Sequence, residues 1–182
     1  MEEQIILVNE LGEHVGVAPK LESHHDHTPL HLAFSCYVFN KEGQFLLTKR
    51  AAIKKVWPGV LTNSFCGHPA PGESYEEAIK RRGAYELGIS GLTNIKKIID
   101  YQYKTPPFNG VIENEICPVF TAVYEGEIKP NPQEVDRYQW VDWKWLLAHV
   151  NEEPNKYSYW LKDQIAHMPN VNDLPLAAVN HR

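Results

Sequence analysis

The segment "NSFCGHPAPGES", residues 63–74, places a thiol, Cys66, and an imidazole, His68, on either side of a glycine. A thiol can exchange a proton or bind a metal, and an imidazole is a common ligand of divalent metals. The segment runs directly into "SYEEAIKRRGAYELG". Ser74 followed three residues later by Glu77 is a capping-box pattern, which predicts that a helix begins at Ser74. Groups capable of chemistry therefore lie just before the N-terminus of a helix.

Further metal-ligand side chains occur elsewhere in the chain. Glu113 and Glu115 are separated by one residue in a predicted strand, so both carboxylates project from the same face. Two carboxylates on one face repel each other unless they are solvated or bind a metal. Three imidazoles and two carboxylates would suit Mn²⁺, with Zn²⁺ and Fe²⁺ as alternatives. The candidate ligands are His24, His31, His68, Glu113 and Glu115.

For the histidines of "SHHDH", residues 23–27, the competing interpretation is a location on the surface without any ligand role. This interpretation applies to His24, His25 and His27, each considered alone.

The predicted helix carries part of the Nudix hydrolase box, G-x5-E-x7-R-E-U-x-E-E-x-G-U, in which U is a bulky aliphatic residue. The matching positions are Gly67, Glu73, Arg81, Glu86, Gly88 and Ile89. Two glutamates of the box are replaced, one by Arg82 and the other by Tyr85, and Gly83 replaces the expected aliphatic residue. Hydrolysis of that type needs several carboxylates to hold its metal ions, so these replacements argue against a hydrolase.

Arg82 and Glu86 are four residues apart and share one helical face with Ala78. An arginine beside a carboxylate could bind a phosphate directly and through a bridging Mg²⁺. The alternative is a solvated ion pair, worth only tenths of a kcal/mol. Arg50 and Lys54, in "KRAAIKK", are also four apart and would share a face if that segment were helical. They are either ligand-binding cations or part of a solvated basic turn.

The composition is that of a globular protein with one domain. The chain has 182 residues, 43% of them hydrophobic and 23% charged, and a net charge of −5, which argues against nucleic-acid binding. The N-terminus lacks the basic and apolar regions of a signal peptide, and the apolar runs are too short to span a membrane. Three cysteines, Cys36, Cys66 and Cys117, fit reduced thiols better than a disulfide framework. We therefore expect a cytoplasmic protein, either a monomer or a weak homodimer.

Apolar periodicity predicts more strands than helices and hence an α+β fold, a mixed sheet core flanked by helices. The predicted strands are 4–8, 14–18, "LHLAFSCYVFN", "QFLLTKR", "VLTNSFC", 95–104, 111–126 and 138–143. Three helices are predicted: one that begins at Ser74, one over "WKWLLAHV" and one over residues 157–168. We expect a single domain over residues 1–182, with its core at about 30–165 and a loose tail at about 169–182.

Four segments together resemble type I isopentenyl-diphosphate isomerases, which have a Nudix fold. They are "PLHLAFSCYVFN", "KRAAIKKVWPGVLTNSFCGHP", "GESYEEAIKRRGAYELG" and "GVIENEICPVF". The resemblance covers roughly residues 4–165, and "NSxCGHP" with "ENExCP" at this separation is its most specific part. It implies the short bacterial form, and it implies interconversion of isopentenyl and dimethylallyl diphosphates in isoprenoid precursor biosynthesis.

The resemblance also implies roles for individual residues. One Mn²⁺ or Zn²⁺ would be bound by His24, His31, His68, Glu113 and Glu115. One Mg²⁺, which also binds the substrate diphosphate, would be held by Glu86 and the backbone carbonyl of Cys66. The diphosphate-binding cations would be Lys20, Arg50, Lys54 and Arg82. The catalytic residues would be Cys66 and Glu115, with Tyr103 as a helper and Trp160 as the aromatic residue that faces the carbocation.

An isomerase of this kind must donate a proton to an alkene, shelter the resulting cation and remove a different proton. Our hypothesis is that Glu115 with Tyr103 protonates the alkene and that Cys66 takes the departing proton. Trp57 competes with Trp160 for the role beside the cation. Two other functions are considered: a Nudix-type pyrophosphohydrolase, and a non-catalytic zinc-stabilised binding module. The zinc ligands of that module would be His24, His31, Cys66 and His68.

Overall fold

Two β-sheets and the helices packed on them form the framework, and the computed structural model describes residues 3–169. The strands are β1 (Gln4–Val8), β2 (His14–Pro19), β3 (His31–Leu32), β4 (Phe34–Phe39), β5 (Phe45–Arg50), β6 (Leu61–Thr62), β7 (Phe65–Gly67), β8 (Thr93–Ile99), β9 (Gln102–Lys104), β10 (Asn114–Ile116), β11 (Val119–Val123) and β12 (Val135–Val141). The helices are α1 (Lys20–Ser23), α2 (Tyr75–Leu87), α3 (Trp143–Glu152) and α4 (Tyr159–His167), with a 3₁₀ turn at Pro154–Lys156.

Both sheets are mixed, which confirms the predicted α+β class. The larger has the order β12-β5-β4-β11-β8, with β6 paired to β5 and β7 paired to β4. The smaller has the order β2-β1-β3-β10-β9. Each contains one parallel pair, β4 with β11 and β3 with β10, and the remaining pairs are antiparallel. Among residues 3–169, none of the helices has the length and apolar character needed to cross a membrane.

Three stretches predicted as single strands are each divided between the two sheets. The chain leaves β3 for β4 at Ala33, and it leaves β10 for β11 at Cys117 and Pro118. Proline has no amide hydrogen to give to a strand ladder, so pairing is interrupted there. The stretch 95–104 is divided in the same way between β8 and β9. The smaller sheet therefore receives short strands, and two of the candidate metal ligands, His31 and Glu115, lie on them.

The larger sheet is buried on both faces. On β4, Phe34, Cys36 and Val38 join the apolar cluster under α2, whereas Tyr37 and Phe39 join the cluster under α3 and α4. Every residue of β4 is buried, which explains why its sequence is almost continuously apolar rather than alternating. The sheet thus holds α2 on one face and α4 on the other, and both helices contribute to the candidate site.

Helix α2 begins at the predicted position. Ser74 and Glu77 form the complete capping box. The buried face of the helix includes Gly83, where a Cβ would lie 3.2 Å from Phe65 Cζ. The aromatic ring of Phe65 therefore fills the space that an aliphatic side chain of the Nudix box would need. At Gly67, a Cβ would lie 2.6 Å from Arg82 Cγ, so this glycine allows the arginine to pass. The predicted tail begins at about 169, and residues 170–182 lie outside the described part of the chain.

Gly88 ends α2 in the left-handed conformation, with φ 64°, and a Cβ there would lie 2.9 Å from the carbonyl oxygen of Lys129. We expect Gly88→Ala to lower the free energy of unfolding by about 2–5 kcal/mol, combining left-handed strain with overpacking. Gly43 is the matched control, because its φ is 78° and no atom lies within 4 Å of its Cβ position. Gly43→Ala should cost only about 1–2 kcal/mol. Equal losses in urea unfolding would contradict the packing explanation.

Candidate active site

A cleft of about 510 Å³ opens where the two sheets and α2 meet. Every site residue predicted from the sequence lines it except His31, which is completely buried. The predicted residues that line the cleft are Lys20, His24, Arg50, Lys54, Cys66, His68, Arg82, Glu86, Tyr103, Glu113, Glu115 and Trp160. The fold therefore brings together residues that are up to 140 positions apart in the chain.

Glu115 lies at the centre of a buried histidine cluster. In the smaller sheet its strand neighbours are His31, on the parallel strand β3, and Tyr103, on the antiparallel strand β9. Glu115 Oε1 lies 3.3 Å from His68 Nε2 and 3.6 Å from His31 Nε2. Ligand atoms of His24, His31, His68 and Glu115 all lie within 4.8 Å of one another.

The orientation of two imidazoles suits a metal. His24 Nδ1 lies 2.6 Å from the Lys20 carbonyl oxygen, and His31 Nδ1 lies 2.9 Å from that of Pro29. A carbonyl can only accept, so Nδ1 carries the hydrogen and Nε2 keeps a free lone pair. His31 Nε2 is buried and has no hydrogen-bond partner within residues 3–169. These donors fit a divalent cation, with the orienting carbonyls that metal-bound histidines normally have.

The pKa values of Glu113 and Glu115 are shifted in opposite directions. Burial opposes ionisation of Glu115, but the neighbouring imidazoles of His31 and His68 outweigh it and lower the pKa of Glu115 well below its ordinary value. Burial, and next the charge of Glu115, raises the pKa of Glu113 to about 7. Glu113 Oε2 lies 3.5 Å from His24 Nε2. Glu113 therefore borders the four-residue cluster, and its role as a fifth ligand stays a prediction.

Surface histidines also occur, as the competing interpretation expected. His25 and His27 are exposed, and each lies beside Asp26 rather than in the cleft. Only His24 of that segment joins the cluster, because α1 places its ring beside those of His31 and His68.

Four cations occupy the other part of the cleft. Arg82 is paired with Glu86, and both side chains are buried, so the interpretation as a solvated surface pair is wrong. Burial raises the pKa of Glu86, although the neighbouring Arg82 opposes the shift. Arg50 ends β5, and Lys54 follows it in a turn rather than in a helix. Both nevertheless line the cleft, because the turn bends towards α2.

Two carboxylates beside these cations were not identified from the sequence. Glu134 Oε2 lies 2.6 Å from Lys54 Nζ and 3.8 Å from Arg82 Nη2. Glu3 Oε2 lies 2.9 Å from Lys20 Nζ, and its Oε1 lies 4.0 Å from Arg82 Nη1. Neither glutamate belongs to a recognisable motif, and only the tertiary fold brings them to the cations.

The thiol of Cys66 faces the cleft from β7. Ser35 Oγ lies 3.3 Å from the sulfur, and Asn63 Nδ2 donates to it over 3.2 Å. Burial raises the pKa of Cys66 to about 12, so in this state the sulfur carries its proton. Glu115 is ionised in the same state. The proposed direction of proton transfer stays a prediction, because bound metals and diphosphate would add charge beside both groups.

Aromatic side chains close one wall of the cleft. Trp160 lies in the first turn of α4, and its indole lies 6.0 Å from that of Trp57 in an edge-to-face arrangement. Of these two candidates, Trp160 is the one that lines the cleft, while Trp57 also stacks on Phe108. The guanidinium of Arg50 lies 5.5 Å from the centre of the Trp160 ring, so this indole already contacts a cation.

The remaining residues of the Nudix box have structural roles. Arg81 and Glu73 form a two-point ion pair with both distances at 2.7 Å, and Arg81 also donates to the carbonyl of His68 over 3.0 Å. Glu73 in turn accepts from the amide of Ala70. These contacts fix the loop that presents His68. Tyr85, in place of a box glutamate, is half exposed.

Comparison with known proteins identifies the fold. The NUDIX domain family matches residues 29–161 of the chain. The Deinococcus radiodurans protein DR0079 shares the fold with a TM-score of 0.71 at 22% identity, covering 91% of this chain and 99% of that one. A MutT protein from Methanosarcina mazei Go1 gives a TM-score of 0.60 at 21% identity, covering 76% of this chain and 92% of the other. These likenesses show a NUDIX fold.

Sequence relatives narrow the class further. A protein of Paenarthrobacter aurescens (strain TC1), named isopentenyl-diphosphate Delta-isomerase, is 43% identical over 97% of this chain and 96% of its own length. A protein of Clavibacter michiganensis subsp. michiganensis with the same name is 48% identical over 90% of this chain and 84% of its own. The chain belongs to the isopentenyl-diphosphate Delta-isomerase family of NUDIX-domain proteins.

The histidine cluster leads to a test of metal binding. We expect His31→Gln to weaken Mn²⁺ and Zn²⁺ binding by more than about 100-fold, since loss of an orienting partner alone costs roughly 10- to 100-fold. Isothermal titration of metal into the chelator-treated protein measures this. His25→Gln is the control, because His25 is exposed outside the cleft, and it should bind as tightly as the unmodified chain. Equal weakening in both variants would disprove the assignment.

Proposed function

We propose that the chain interconverts isopentenyl and dimethylallyl diphosphates by adding one proton to a C=C bond and removing another. Relatives named isopentenyl-diphosphate Delta-isomerase, at 43% and 48% identity, support this activity. The observation that carries the proposal is the pairing of two proton-exchanging groups, Cys66 and Glu115, with a cationic subsite in one cleft. The cations of that subsite are Lys20, Arg50, Lys54 and Arg82.

The chemistry requires one group that holds a proton and another that lacks one. An alkene is a poor proton acceptor, and its protonation gives a tertiary carbocation. Cys66 and Glu115 meet the requirement, because burial keeps the thiol protonated and the imidazoles keep the carboxylate ionised. Tyr103 lies beside Glu115 in the sheet, and burial raises its pKa, so it retains a proton that it can share with that carboxylate.

The carbocation must be stabilised without a nucleophile, because water would trap it. We propose that Trp160 supplies this stabilisation. An indole face contributes on the order of 2 kcal/mol to a desolvated cation. Trp160 is held by a hydrogen bond from its Nε1 to Asn63 Oδ1 of 2.9 Å, which fixes the plane of the ring.

The diphosphate provides binding energy away from the reacting carbons, which positions the alkene between the acid and the base. A Mg²⁺ held by Glu86 and the carbonyl of Cys66 would neutralise part of the diphosphate charge. A Mn²⁺ or Zn²⁺ bound by His24, His31, His68, Glu113 and Glu115 would allow Glu115 to stay charged in a dry site.

The alternative of a Nudix-type pyrophosphohydrolase is less well supported. Of the box acids, Glu73 is occupied by Arg81, and Arg82 and Tyr85 replace two others, which leaves Glu86 beside the cations. A site built to hold a diphosphate without cutting it has no need of those acids. A non-catalytic zinc module is disfavoured as well, since the cluster uses Glu115 rather than Cys66 as its fourth member.

We also propose a cytoplasmic location and a monomer or weak homodimer, with a small-molecule diphosphate rather than a nucleic acid as the partner. The cysteines Cys36, Cys66 and Cys117 are free, which supports a reducing compartment.

The direct test supplies isopentenyl diphosphate with Mg²⁺ and Mn²⁺ or Zn²⁺ and follows the acid-labile allylic product. We expect isomerisation and incorporation of deuterium from deuterated water. In Cys66→Ala, kcat should fall by roughly 10²- to 10⁴-fold, the usual contribution of a positioned acid or base, with unchanged content of Mn²⁺ or Zn²⁺. Released phosphate from the unmodified chain would support the hydrolase instead. Normal turnover and exchange in Cys66→Ala would exclude the proposed role of Cys66.

Glu3 leads to a prediction about substrate affinity. Burial alone would raise its pKa, but Lys20 and Arg82 lower it, so the carboxylate is charged and competes with diphosphate for both cations. We expect Glu3→Gln to lower the KM for isopentenyl diphosphate by roughly two- to five-fold, the value of a partly exposed ion pair. Lys20→Gln should raise the KM. A higher KM in Glu3→Gln would show that Glu3 positions Lys20 instead of competing with substrate.

A further inference from the structure

Beneath the cleft, a chain of buried hydrogen bonds runs from the core to the sulfur of Cys66. Tyr37 Oη donates to Gln164 Oε1 over 2.9 Å, and Gln164 Nε2 donates to Ser35 Oγ over 2.8 Å. Ser35 Oγ lies 3.3 Å from Cys66 Sγ. Tyr37, Ser35 and Gln164 are each 0% exposed. Because Gln164 donates to Ser35, the hydroxyl hydrogen of Ser35 remains available for a sulfur acceptor.

A second chain reaches the same sulfur from another side. Trp160 Nε1 donates to Asn63 Oδ1 over 2.9 Å, and Asn63 Nδ2 donates to Cys66 Sγ over 3.2 Å. An indole N–H can only donate, so it fixes the Asn63 oxygen on the side of Trp160 and leaves Nδ2 to donate to the sulfur. The same oxygen lies 3.4 Å from Cys66 Sγ and can accept from the thiol. Asn63 is 0% exposed and also donates to the carbonyl oxygen of Phe65 over 2.8 Å. The amide therefore has one orientation available to it.

Both chains pass through the same helix. Trp160 and Gln164 are four residues apart on α4, so they lie on one face of it, the face buried against the larger sheet. Burying these polar side chains costs free energy unless all of them are hydrogen-bonded, and an apolar core would avoid the cost. Both hydrogen-bond chains end at a thiol, which is only a weak hydrogen-bonding group. No backbone group needs these contacts to complete its own hydrogen bonds.

We propose that Ser35, Asn63 and Gln164 are positioning residues that hold the Cys66 sulfur towards the cleft and couple its placement to that of Trp160. The inference rests on the proposed function, in which Cys66 exchanges a proton with the substrate. Two directional contacts on the sulfur select one Cys66 side-chain rotamer, and α4 sets the distance between the thiol and the indole. An error of about 1 Å in such a placement costs roughly 100-fold in rate.

The test compares two serine-to-alanine variants. Ser35→Ala removes the contact with sulfur, and we expect kcat to fall by roughly 10- to 100-fold while the KM for isopentenyl diphosphate stays within about two-fold. Ser64→Ala is the matched control, since Ser64 is also 0% exposed and bonds the backbone of Val38 and Leu46 but does not contact the sulfur. It should keep kcat within about two-fold, although it loses two buried hydrogen bonds.

Gln164→Met provides a second variant that leaves every group on the sulfur in place. It removes the donor that orients Ser35 and, with it, the acceptor of the Tyr37 hydroxyl, and we expect kcat to fall by roughly 3- to 10-fold, the range of one neutral hydrogen bond. Urea unfolding midpoints and bound metal are measured for all three variants. Losses of kcat that follow the unfolding midpoint, or an unchanged kcat in Ser35→Ala and Gln164→Met, would overturn the proposal.

The outcomes also separate this inference from the proposed function. If Cys66→Ala loses turnover while Ser35→Ala and Gln164→Met keep it, Cys66 reacts but the network does not position it. If Cys66→Ala keeps turnover, the proposed function of the thiol fails, and the network is then a structural feature of the core.

Discussion

A carboxylate buried among three imidazoles is the constraint on which the rest of the structure depends. Glu115 is enclosed by the fold, and an isolated charge there would be prohibitively costly. A divalent cation bound by His24, His31 and His68 would remove that cost, and the three histidines come from separate parts of the chain. The parallel pairing of β3 with β10 and the short helix α1 bring them together. The smaller sheet has a small apolar cluster of its own, Ile6, Val8 and Leu30, and its strands β3 and β10 place His31 beside Glu115.

Buried charges must also be balanced in the cationic part of the cleft, where carboxylates rather than imidazoles provide the balance. Lys20, Lys54 and Arg82 pair with three carboxylates, Glu3, Glu86 and Glu134, whereas the guanidinium of Arg50 donates to the carbonyls of Val56 and Trp57. Glu86 and Glu134 are held by the body of the fold, whereas Glu3 precedes β1 and is more exposed. In the proposed function, a diphosphate would therefore meet three cations that are already paired and oriented. Such a site gains specificity from geometry more than from raw charge, because any anion must displace a carboxylate to enter.

The sequence predicts the start of α2 and most strands, because capping and periodicity are local signals, and it predicts twelve of the residues that line the cleft. Several of these, such as Lys20, Tyr103 and Trp160, are predicted only through the resemblance to a family. Prediction from the sequence fails where strand pairing or side-chain burial depends on residues distant in the chain. The division of 31–39 and 111–126 between two sheets follows from pairing that no local pattern encodes. The burial of Arg82 with Glu86 follows from the packing of α2 on β7, which the i,i+4 spacing alone cannot reveal. Glu3, Glu134 and Gln164 belong to no motif, and only tertiary contacts give them a place in the site.

The Nudix box of this chain shows that the structural and catalytic functions of the motif are separable. Its capping box, its Glu73–Arg81 pair and its glycine at position 88 are all kept, and each stabilises α2 or the loop that carries His68. What has changed is the set of acids that a hydrolase uses to hold metal ions around a scissile phosphate. Arg82 stands in place of one of those acids, and Gly67 provides the space that its side chain needs. Cys66 precedes this glycine on β7, so in the proposed function the strand that leads to the Nudix helix places a thiol in the same cleft as the diphosphate-binding arginine.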